Sequence, residues 1–198
     1  HGLGVEKSYR KAAFFLMLAA KNGHTKAMLM LGKDCYFMNR GVKLNFHKGF
    51  AWIQKASKDG DMVALSTLAE CYKFGKGTKT DLTKAISLWE KAVSKGDLSA
   101  HYYLGDAYYY GTGVRRDYKK AFDLLTVAVK DETNAKANNL LGECHYYGRG
   151  TFESPARAYK YYYRAAKMGD SYAQLRLGYY FTNGIYVKWN SGGLTPNT

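Results

Sequence analysis

The stretch LGDAYYYGTGV, residues 104–114, carries the pattern that decides the fold of this chain. Its first residue belongs to a leucine column that recurs every 36 or 37 residues: Leu31, Leu68, Leu104, Leu141 and Leu177. Two alanine columns keep the same step: Ala19, Ala56, Ala92, Ala128, Ala165 and Ala27, Ala64, Ala100, Ala137, Ala173. A fixed period of this length is typical of arrays of two-helix repeats. Small residues at facing positions let the two helices of a repeat approach closely, and the leucines fill the space between repeats.

Polar residues and glycines mark where the helices of each repeat begin and end. A further column contains only residues that cap helix N-termini: Ser8, Asn45, Asp81, Asp117 and Ser154. The first helix of each repeat is predicted to begin just after this column and to end at a glycine: Gly23, Gly60, Gly96 and Gly169. The second helix, for example over residues 99–110, ends in a glycine pair such as Gly111 and Gly113. The fourth copy lacks the first glycine and has one extra residue near Asn134, so its turn is expected to differ.

The string 104–114, followed by Asp117, Lys120 and Ala121, resembles the Sel1-like repeat, a relative of the tetratricopeptide repeat. The resemblance recurs five times over residues 1–187. It implies an all-α fold, a right-handed superhelical solenoid of antiparallel two-helix repeats. The sequence departs from the family pattern at a few places, which leaves local loop shape open: Thr78 and Thr151 in place of valine, Ala69 in place of glycine, and one extra residue between Gly32 and Gly41.

The period divides the chain into repeats 8–44, 45–80, 81–116, 117–153 and 154–187. Residues 1–7 match the end of a second helix, so the sequence is expected to be cut from a longer array. Residues 188–198 are expected to form a polar tail or a cap, with Trp189 as the candidate capping side chain. The first helix of repeat 8–44 is unusually apolar at Phe14, Phe15, Met17 and Leu18. Either a preceding repeat covers this surface or it is a binding patch, and the sequence leaves both open.

Composition narrows the class of partner. Thirty Lys and Arg against 16 Asp and Glu give a formal net charge of +14, spread along the whole chain. Such a charge fits a basic solvated surface, a protein partner with an acidic face or, less well, nucleic acid or anionic lipid. The 19 tyrosines suit partner-binding surfaces, although some must fill the core. No apolar run approaches the roughly 20 residues that would span a bilayer.

Residues that would support catalysis or metal binding are scattered. The three cysteines, Cys35, Cys71 and Cys144, occupy nearly the same place in three second helices, where they are predicted to be packed, reduced thiols. The chain lacks the second cysteine of each pair, so it does not resemble the disulfide-stapled, cysteine-rich branch of the family. The five histidines form no metal-ligand spacing. We therefore predict no enzyme, no metal and no cofactor, and a reducing compartment such as the cytoplasm is weakly favoured.

The predicted binding surface is the face of the first helices that points away from the core. In stacked helix pairs the first helix lines the concave wall, and its alanine column faces inward. The remaining positions differ between copies. A recognition groove would require such differences, but random drift of solvent-exposed positions would also produce them. The candidate partner-binding residues are Phe14, Met17, Leu18, Gln54, Lys55, Glu90, Lys91, Asp123, Thr126, Lys160, Tyr163 and Arg164.

Aromatic residues support a binding role for the first helix of the last repeat, 154–187. Its tyrosines are crowded, and one or two of them are predicted to be core: Tyr159, Tyr161, Tyr162 and Tyr163. The remainder, beside Arg164, are the residue types enriched in binding hot spots. Trp52 and Trp89 are predicted to pack between repeats.

These observations favour a monomeric adaptor or scaffold that holds an extended or helical segment of another protein, with an acidic segment favoured by charge. The resemblance implies the same, since Sel1-like proteins act as scaffolds in ER-associated degradation, activators of cell-wall synthases and bacterial signalling factors. We expect no small-molecule substrate and only indirect contact with membranes. One alternative is electrostatic binding of nucleic acid or an acidic membrane surface, which added salt would abolish. Another is the weak β-lactam hydrolysis suggested for the cysteine-rich branch, which a labelled β-lactam would detect.

Overall fold

The computed structural model describes the backbone of residues 6–184, 187–190 and 193–196, and the side chains of residues 6–184. The chain divides into two compact units, His1–Asp97 and Leu98–Thr198, called unit 1 and unit 2 below. Of segment 1–7, which the sequence assigns to a preceding repeat, only Glu6 and Lys7 lie within the described residues.

Unit 1 contains the first five α-helices and unit 2 the next five, together with two short strands. The helices of unit 1 are α1 Tyr9–Lys21, α2 Thr25–Met30, α3 Phe46–Ala56, α4 Met62–Phe74 and α5 Leu82–Val93. Those of unit 2 are α6 Leu98–Tyr110, α7 Tyr118–Ala128, α8 Ala135–Tyr146, α9 Pro155–Lys167 and α10 Ser171–Thr182. Odd-numbered helices are the first helices of the repeats and even-numbered helices the second. The prediction of an all-α repeat fold is confirmed over these helices.

The predicted N-caps are all confirmed. Ser8, Asn45, Asp81, Asp117 and Ser154 each accept a hydrogen bond from the backbone N–H three residues later. The Asn45 Oδ1 to Lys48 N distance, for example, is 2.8 Å. A cap of this kind stabilises a helix by about 1 kcal/mol, because it satisfies a backbone donor that the helix cannot. The caps therefore fix the phase of every first helix, and with it which side chains face outward.

The predicted glycine turns are also confirmed. Each glycine after a first helix, and both glycines of the pairs after α4, α6 and α8, have positive φ. At Gly77 a close approach adds to the constraint, since a Cβ there would lie 2.1 Å from the Phe46 carbonyl oxygen. The turn between α7 and α8 differs, as expected. There Asp131 Oδ1 accepts a hydrogen bond from the Thr133 backbone N–H, and Asn134 caps α8.

The extra residue of the first repeat lies inside a helix. After α2 the chain continues as a π-helix, Leu31–Phe37. The wider turn of a π-helix absorbs one residue. Beyond the π-helix, the first repeat is again aligned with the second. Arg40 N donates to Cys35 O, and the equivalent Lys76 N donates to Cys71 O. The inserted residue thus changes one turn of the helix and leaves the following loop intact.

Unit 1 is held together where the second helix of one repeat packs against the first helix of the next. The π-helix lies along α3, and α4 lies along α5. Ile53 and Trp89 are buried in these layers, at 0% and 1% exposure. Trp52 is half-buried and packs against the core of the first repeat. The prediction that both tryptophans are core side chains is confirmed for Trp89 and holds in part for Trp52.

One position of the predicted alanine column is wrong. Ala19 is only half-buried, whereas Ala13 and Ala20 of the same helix are buried. The equivalent Ala56 packs with Ala27 of the preceding second helix. The other members of both alanine columns are buried.

Unit 2 repeats the same packing, with α6 along α7, α8 along α9 and α9 against α10. The close contacts depend on glycine in the second helices. A Cβ on Gly105 would lie 2.9 Å from Leu125 Cγ, and one on Gly142 would lie 2.8 Å from Tyr162 Cδ1. Leu125 and Tyr162 are both fully buried, so these side chains have little freedom to move aside.

Two strands follow α10, where the sequence predicted a tail or a cap and no strand. β1 Val187–Asn190 pairs antiparallel with β2 Gly193–Pro196, with Val187 opposite Pro196 and Asn190 opposite Gly193. β2 lies against α9. The side chain of Trp189, the candidate cap, lies outside the described residues.

Candidate functional site

The predicted partner-binding residues all lie on first helices, and the described structure buries none of them completely. Met17 and Tyr163 are half-buried, and the others are exposed. Their exposure follows from the helix phase, because the capped first turn and the buried alanines turn the same face of each helix inward. The role of these residues in binding stays a prediction.

In unit 1 the three first helices present chemically different surfaces. Phe14 and Leu18 of α1 are 59% and 44% exposed, and Phe14 makes an edge contact with Phe15 at a ring-centroid distance of 5.4 Å. On α3, the Lys55 Nζ lies 5.5 Å from the centroid of the Trp52 ring, beside the exposed Gln54. On α5 the corresponding residues are exposed charges, Glu90 and Lys91. The outward face thus changes from apolar on α1 to charged on α5.

In unit 2 the residues predicted on α7 interact within their own helix. The Asp123 carboxylate forms an ion pair with Lys119 at 2.6 Å, and the Thr126 hydroxyl donates to the Phe122 carbonyl oxygen at 2.8 Å. The ion pair is exposed, and exposed pairs of this kind stabilise a helix by only about 0.3–0.5 kcal/mol. A partner can therefore replace it at little cost.

The face of α9 joins aromatic rings to positive charge. Tyr163 stacks on Tyr159 with centroids 6.1 Å apart, and Lys167 Nζ lies 5.1 Å from the Tyr163 centroid. Arg164 lies over the Tyr161 ring at 5.8 Å. Tyr159 and Tyr162 are buried, which confirms the prediction that one or two of these tyrosines are core. Cation–π contacts orient the charged groups without neutralising them, so they remain able to bind an anionic group.

A buried polar cluster between α8, α9 and α10 was not found by sequence reasoning. Glu143 Oε1 accepts hydrogen bonds from Tyr162 Oη at 3.0 Å and from Arg176 Nε at 3.0 Å. Arg176 also donates to Tyr147 Oη at 2.7 Å. Burial, together with the Glu143 carboxylate, raises the pKa of Tyr162, so its phenol stays protonated and donates. The sequence does not single out Glu143, because the equivalent residue after Leu104-Gly105 is also acidic and that residue, Asp106, is only half-buried.

A second arginine lies among tyrosines at the end of α8. Arg149 Nη1 donates to Tyr109 Oη at 2.6 Å, and its guanidinium lies 4.7 Å from the Tyr147 ring centroid. Desolvation raises the pKa of Tyr109, although the Arg149 hydrogen bond opposes the shift. These contacts join the loop after α8 to α6. Some of the 19 tyrosines of the chain therefore have a structural role.

The cysteines are buried free thiols, as predicted. Burial, with a smaller effect of Glu70, raises the pKa of Cys71 to about 12. Burial and the neighbouring Glu143 do the same for Cys144, also to about 12. Because the thiolate is the reactive form, neither sulfur is a competent nucleophile near neutral pH in the folded chain.

The described residues provide neither a metal-binding cluster nor a membrane-spanning helix. They contain no group of three or more His, Cys, Asp or Glu side chains arranged to hold a metal ion. No helix among them is both long enough and apolar enough to cross a membrane.

Similar solved structures share this fold. A protective antigen of uropathogenic Escherichia coli strains, described as displaying an SLR fold, superposes with a TM-score of 0.79 at 26% identity; the match covers 92% of this chain and 39% of that protein. A Sel1 repeat protein from Oxalobacter formigenes superposes with a TM-score of 0.79 at 29% identity, over 89% of this chain and 71% of that protein. A sel1 repeat protein from Klebsiella pneumoniae gives a TM-score of 0.62 at 26% identity, over 93% and 86%. The chain thus spans well under half of the E. coli antigen. No curated protein sequence matches it.

The family model for the Sel1 repeat matches nearly the whole chain. The matched segments are residues 1–24, 25–61, 63–97, 98–130, 135–170 and 171–192. From residue 25 onward each segment begins at a second helix, and most run through the first helix that follows. The family model therefore has the same period as the repeats 8–44 to 154–187, but its unit begins with the second helix instead of the first. Together with the helix pairs and their glycine contacts, this match shows that the chain belongs to the Sel1 repeat family.

Proposed function

We propose that this chain is a non-enzymatic adaptor that binds a segment of another protein on the outward faces of its first helices. Sel1 repeats typically mediate protein–protein interactions, so the family makes binding the default expectation. The single observation that carries the proposal is the contrast between the inward and outward positions of the first helices. The inward positions are small and buried in nearly every repeat, and the outward ones are exposed and chemically unlike.

The outward positions have the chemistry of a protein-binding surface. Aromatic and cationic side chains occur together on α9, where the half-buried Tyr163 and the exposed Arg164 are adjacent in sequence. Tyrosine and arginine are the residue types that most often dominate binding energy, because each combines a large contact area with directed hydrogen bonds. The net charge of +14 favours a partner with an acidic face.

Catalysis forms no part of the proposal. The buried thiols of Cys71 and Cys144 are held in their unreactive, protonated form. The buried carboxylate of Glu143 is already engaged by Tyr162 and Arg176, which leaves it poorly placed to act as a general base.

Site-specific photo-crosslinking tests the proposal. A photoreactive amino acid replaces Tyr163 or Thr126 on first helices, and Lys136, an exposed residue of the second helix α8, in the control. The proposal expects one discrete partner adduct from the first-helix positions and none from position 136. Adducts of equal yield from all three positions, or from position 136 alone, would overturn it.

Salt dependence separates a protein partner from purely electrostatic binding. A specific protein complex keeps most of its affinity between about 50 and 200 mM salt, whereas binding to a nucleic acid or anionic vesicle falls by orders of magnitude. The measurement uses the cross-linked partner, single-stranded RNA and phosphatidylserine vesicles side by side. Tighter binding of RNA or vesicles than of the protein partner at the higher salt would replace the adaptor with the electrostatic alternative.

A further inference from the structure

A cleft in unit 2 combines positive charge with a buried amide whose acceptor is unused. It has a volume of about 350 Å³ and lies between the α7–α8 turn and the C-terminal end of α9. Lys130 lines it from the turn, and Arg164 and Lys167 line it from α9. This volume is near the lower end for ligand clefts, so it accommodates one or two residues of a chain and not a large cofactor.

Asn138 is a buried residue that lines the cleft. Its side chain is 2% exposed, and its Nδ2 donates to the Asn134 carbonyl oxygen at 3.0 Å. This hydrogen bond fixes which side of the carboxamide carries the oxygen. Among the described residues nothing donates to Oδ1. A buried acceptor without a donor is costly and uncommon in a folded protein, so the unused oxygen points to a ligand that brings an N–H group.

The rim of the cleft is cationic. Glu132 is the acidic residue of the lining, against three cations, and none of these charged groups forms an ion pair within the described residues. Val129 and Met168 supply apolar wall on either side. A cleft of comparable volume in unit 1, lined by Asn45, His47 and Gly77 among others, has no lysine or arginine in its lining. The charge is therefore a property of this cleft and not of every repeat junction.

We propose that this cleft binds an acidic residue of a partner peptide, a proposal that rests on the proposed function and names the chemistry of the segment. The carboxylate lies between the Arg164 guanidinium and the ammonium groups of Lys130 and Lys167, which form charge-assisted hydrogen bonds with it. A backbone N–H of the same segment donates to Asn138 Oδ1. Because Oδ1 is buried, the carboxamide must turn about its Cβ–Cγ torsion to meet this donor, and the turn exchanges the hydrogen bond to Asn134 for the one to the ligand. The methylene stem of the acidic residue packs against Val129 and Met168.

Binding of two fluorescein-labelled peptide pools to the full chain tests this assignment. Both pools have a randomised Ala, Ser and Gly background, and the central position is Glu in one and Gln in the other. Fluorescence anisotropy is expected to show the Glu pool binding about tenfold more tightly, since one charge-assisted hydrogen bond exceeds a neutral one by roughly that factor. Equal binding of the two pools would overturn the proposal.

Two arginines of α9 provide a matched pair of variants. Arg164→Gln removes a cation from the cleft, whereas Arg157→Gln removes an exposed cation of the same helix that does not line it. Arg164→Gln is expected to weaken the affinity for the Glu pool about tenfold and to leave the affinity for the Gln pool unchanged. Arg157→Gln is expected to change neither affinity. Equal losses in the two variants would show a general charge effect and overturn the site.

Asn138→Leu tests the acceptor. It replaces the carboxamide with a bulkier apolar side chain that has the same number and branching of heavy atoms and no unpaired oxygen, so the folded chain is expected to melt near the parent temperature while affinity for the Glu pool falls. Unchanged affinity with unchanged melting would overturn the role of Oδ1. If single-stranded RNA binds more tightly than the peptides with the same dependence on Arg164, the occupant is a nucleic acid and the proposal is wrong.

The outcome is separable from the test of the proposed function. Adducts at positions 163 and 126 together with equal binding of the Glu and Gln pools would keep the adaptor and remove the acidic subsite. Preference for the Glu pool without adducts on first helices would keep the acidic subsite and overturn binding along the first helices.

Discussion

The second helices α8 and α10 carry equivalent residues in different surroundings. The string Leu141-Gly142-Glu143 is matched by Leu177-Gly178-Tyr179, 36 residues later. Gly142 lies against the Tyr162 ring of the following first helix, but a Cβ on Gly178 would meet no atom within 4 Å. His145 is 3% exposed, whereas its equivalent Phe181 is 73% exposed. Within the described residues, the same repeat signal thus yields a packed junction at α8, where the first helix α9 lies against it, and an open surface at α10.

This difference shows where the stability of such an array resides. A helix pair buries little of its own surface, and much of the free energy comes from the contact with the next pair. Local interactions such as caps should contribute equally to the free energy of unfolding in α8 and α10. Interactions with a following first helix should contribute in α8, which packs against α9.

Removing the junction carboxylate should have the largest effect. Glu143→Ala leaves the Arg176 guanidinium, whose side chain is 17% exposed, without its ionic partner and Tyr162 without its acceptor. Breaking a buried pair on one side costs about 3 kcal/mol, which urea denaturation would measure. The double variant Glu143→Met/Arg176→Met removes both charges and should recover most of that loss. A double variant as unstable as the single one would contradict this account of the pair.

Adding one methyl group at the two equivalent glycines gives effects of opposite sign. Gly142→Ala places a Cβ 2.8 Å from the buried Tyr162 ring, and overpacking of this kind costs about 1–3 kcal/mol. Gly178→Ala meets open space in a helix, where alanine is favoured by about 0.5–1 kcal/mol. Thermal unfolding of the two variants checks the signs. Destabilisation by both substitutions would show that α10 is as tightly covered as α8.

The N-caps should show no such difference. Asn134 Oδ1 accepts from Ala137 N at 2.9 Å before α8, and Asp170 Oδ1 accepts from Ala173 N at 2.8 Å before α10. Asn134→Ala and Asp170→Ala are each expected to cost about 1 kcal/mol, because the bond lies within its own helix. Urea midpoints compare them. A cost confined to one helix would contradict the division between local and junction contributions.

The smallest effect is a pH dependence from His145, which lies between Phe122 and Tyr161. Burial, with a smaller effect of Arg157, lowers the pKa of His145. The unfolded side chain takes up a proton near pH 6.5, but the folded one resists protonation. Stability is therefore complete above about pH 6.5 and falls as the pH drops below it, by at most about 1.4 kcal/mol per pH unit, until the folded pKa is reached.

The pH effect is isolated by comparing equivalent positions. His145→Leu should remove this part of the acid dependence when melting temperatures at pH 7.5 and 5.5 are compared. Phe181→Leu in α10 should leave the dependence as in the parent chain. An unchanged acid dependence in the His145 variant would show that its ring is not kept neutral by the fold.

Repeated local features of the fold were predictable from the sequence, and unrepeated ones were not. Caps such as Asp117 and turns such as Gly77 have chemistry that acts within a few residues, so a column of like residues predicts them. The π-helix at Leu31–Phe37 could not be located, because an extra residue fits a loop or a helix equally well in sequence. The strands β1 and β2 contain Asn, Gly and Pro, which are depleted in strands, and gave no signal.

The candidate site divides in the same way. The outward exposure of Lys160 and Arg164 followed from the helix phase. The pairing of Glu143 with Arg176, 33 residues apart, depends on how the helices pack and has no sequence signature. Asn138 was missed for the opposite reason. An asparagine early in a helix has many ordinary roles, and only its burial beside a cationic cleft distinguishes Asn138.

The most direct test measures unfolding and partner binding on the same samples of two variants, Gly142→Ala and Tyr163→Ala/Arg164→Gln. If the repeat core and the recognition surface are separate, the first variant melts at a lower temperature yet binds the cross-linked partner normally while folded. The second loses some stability, because Tyr163 is half-buried, but while still folded it loses about tenfold or more in affinity. Loss of binding in the glycine variant while it is still folded, or full binding by the double variant, would contradict that separation.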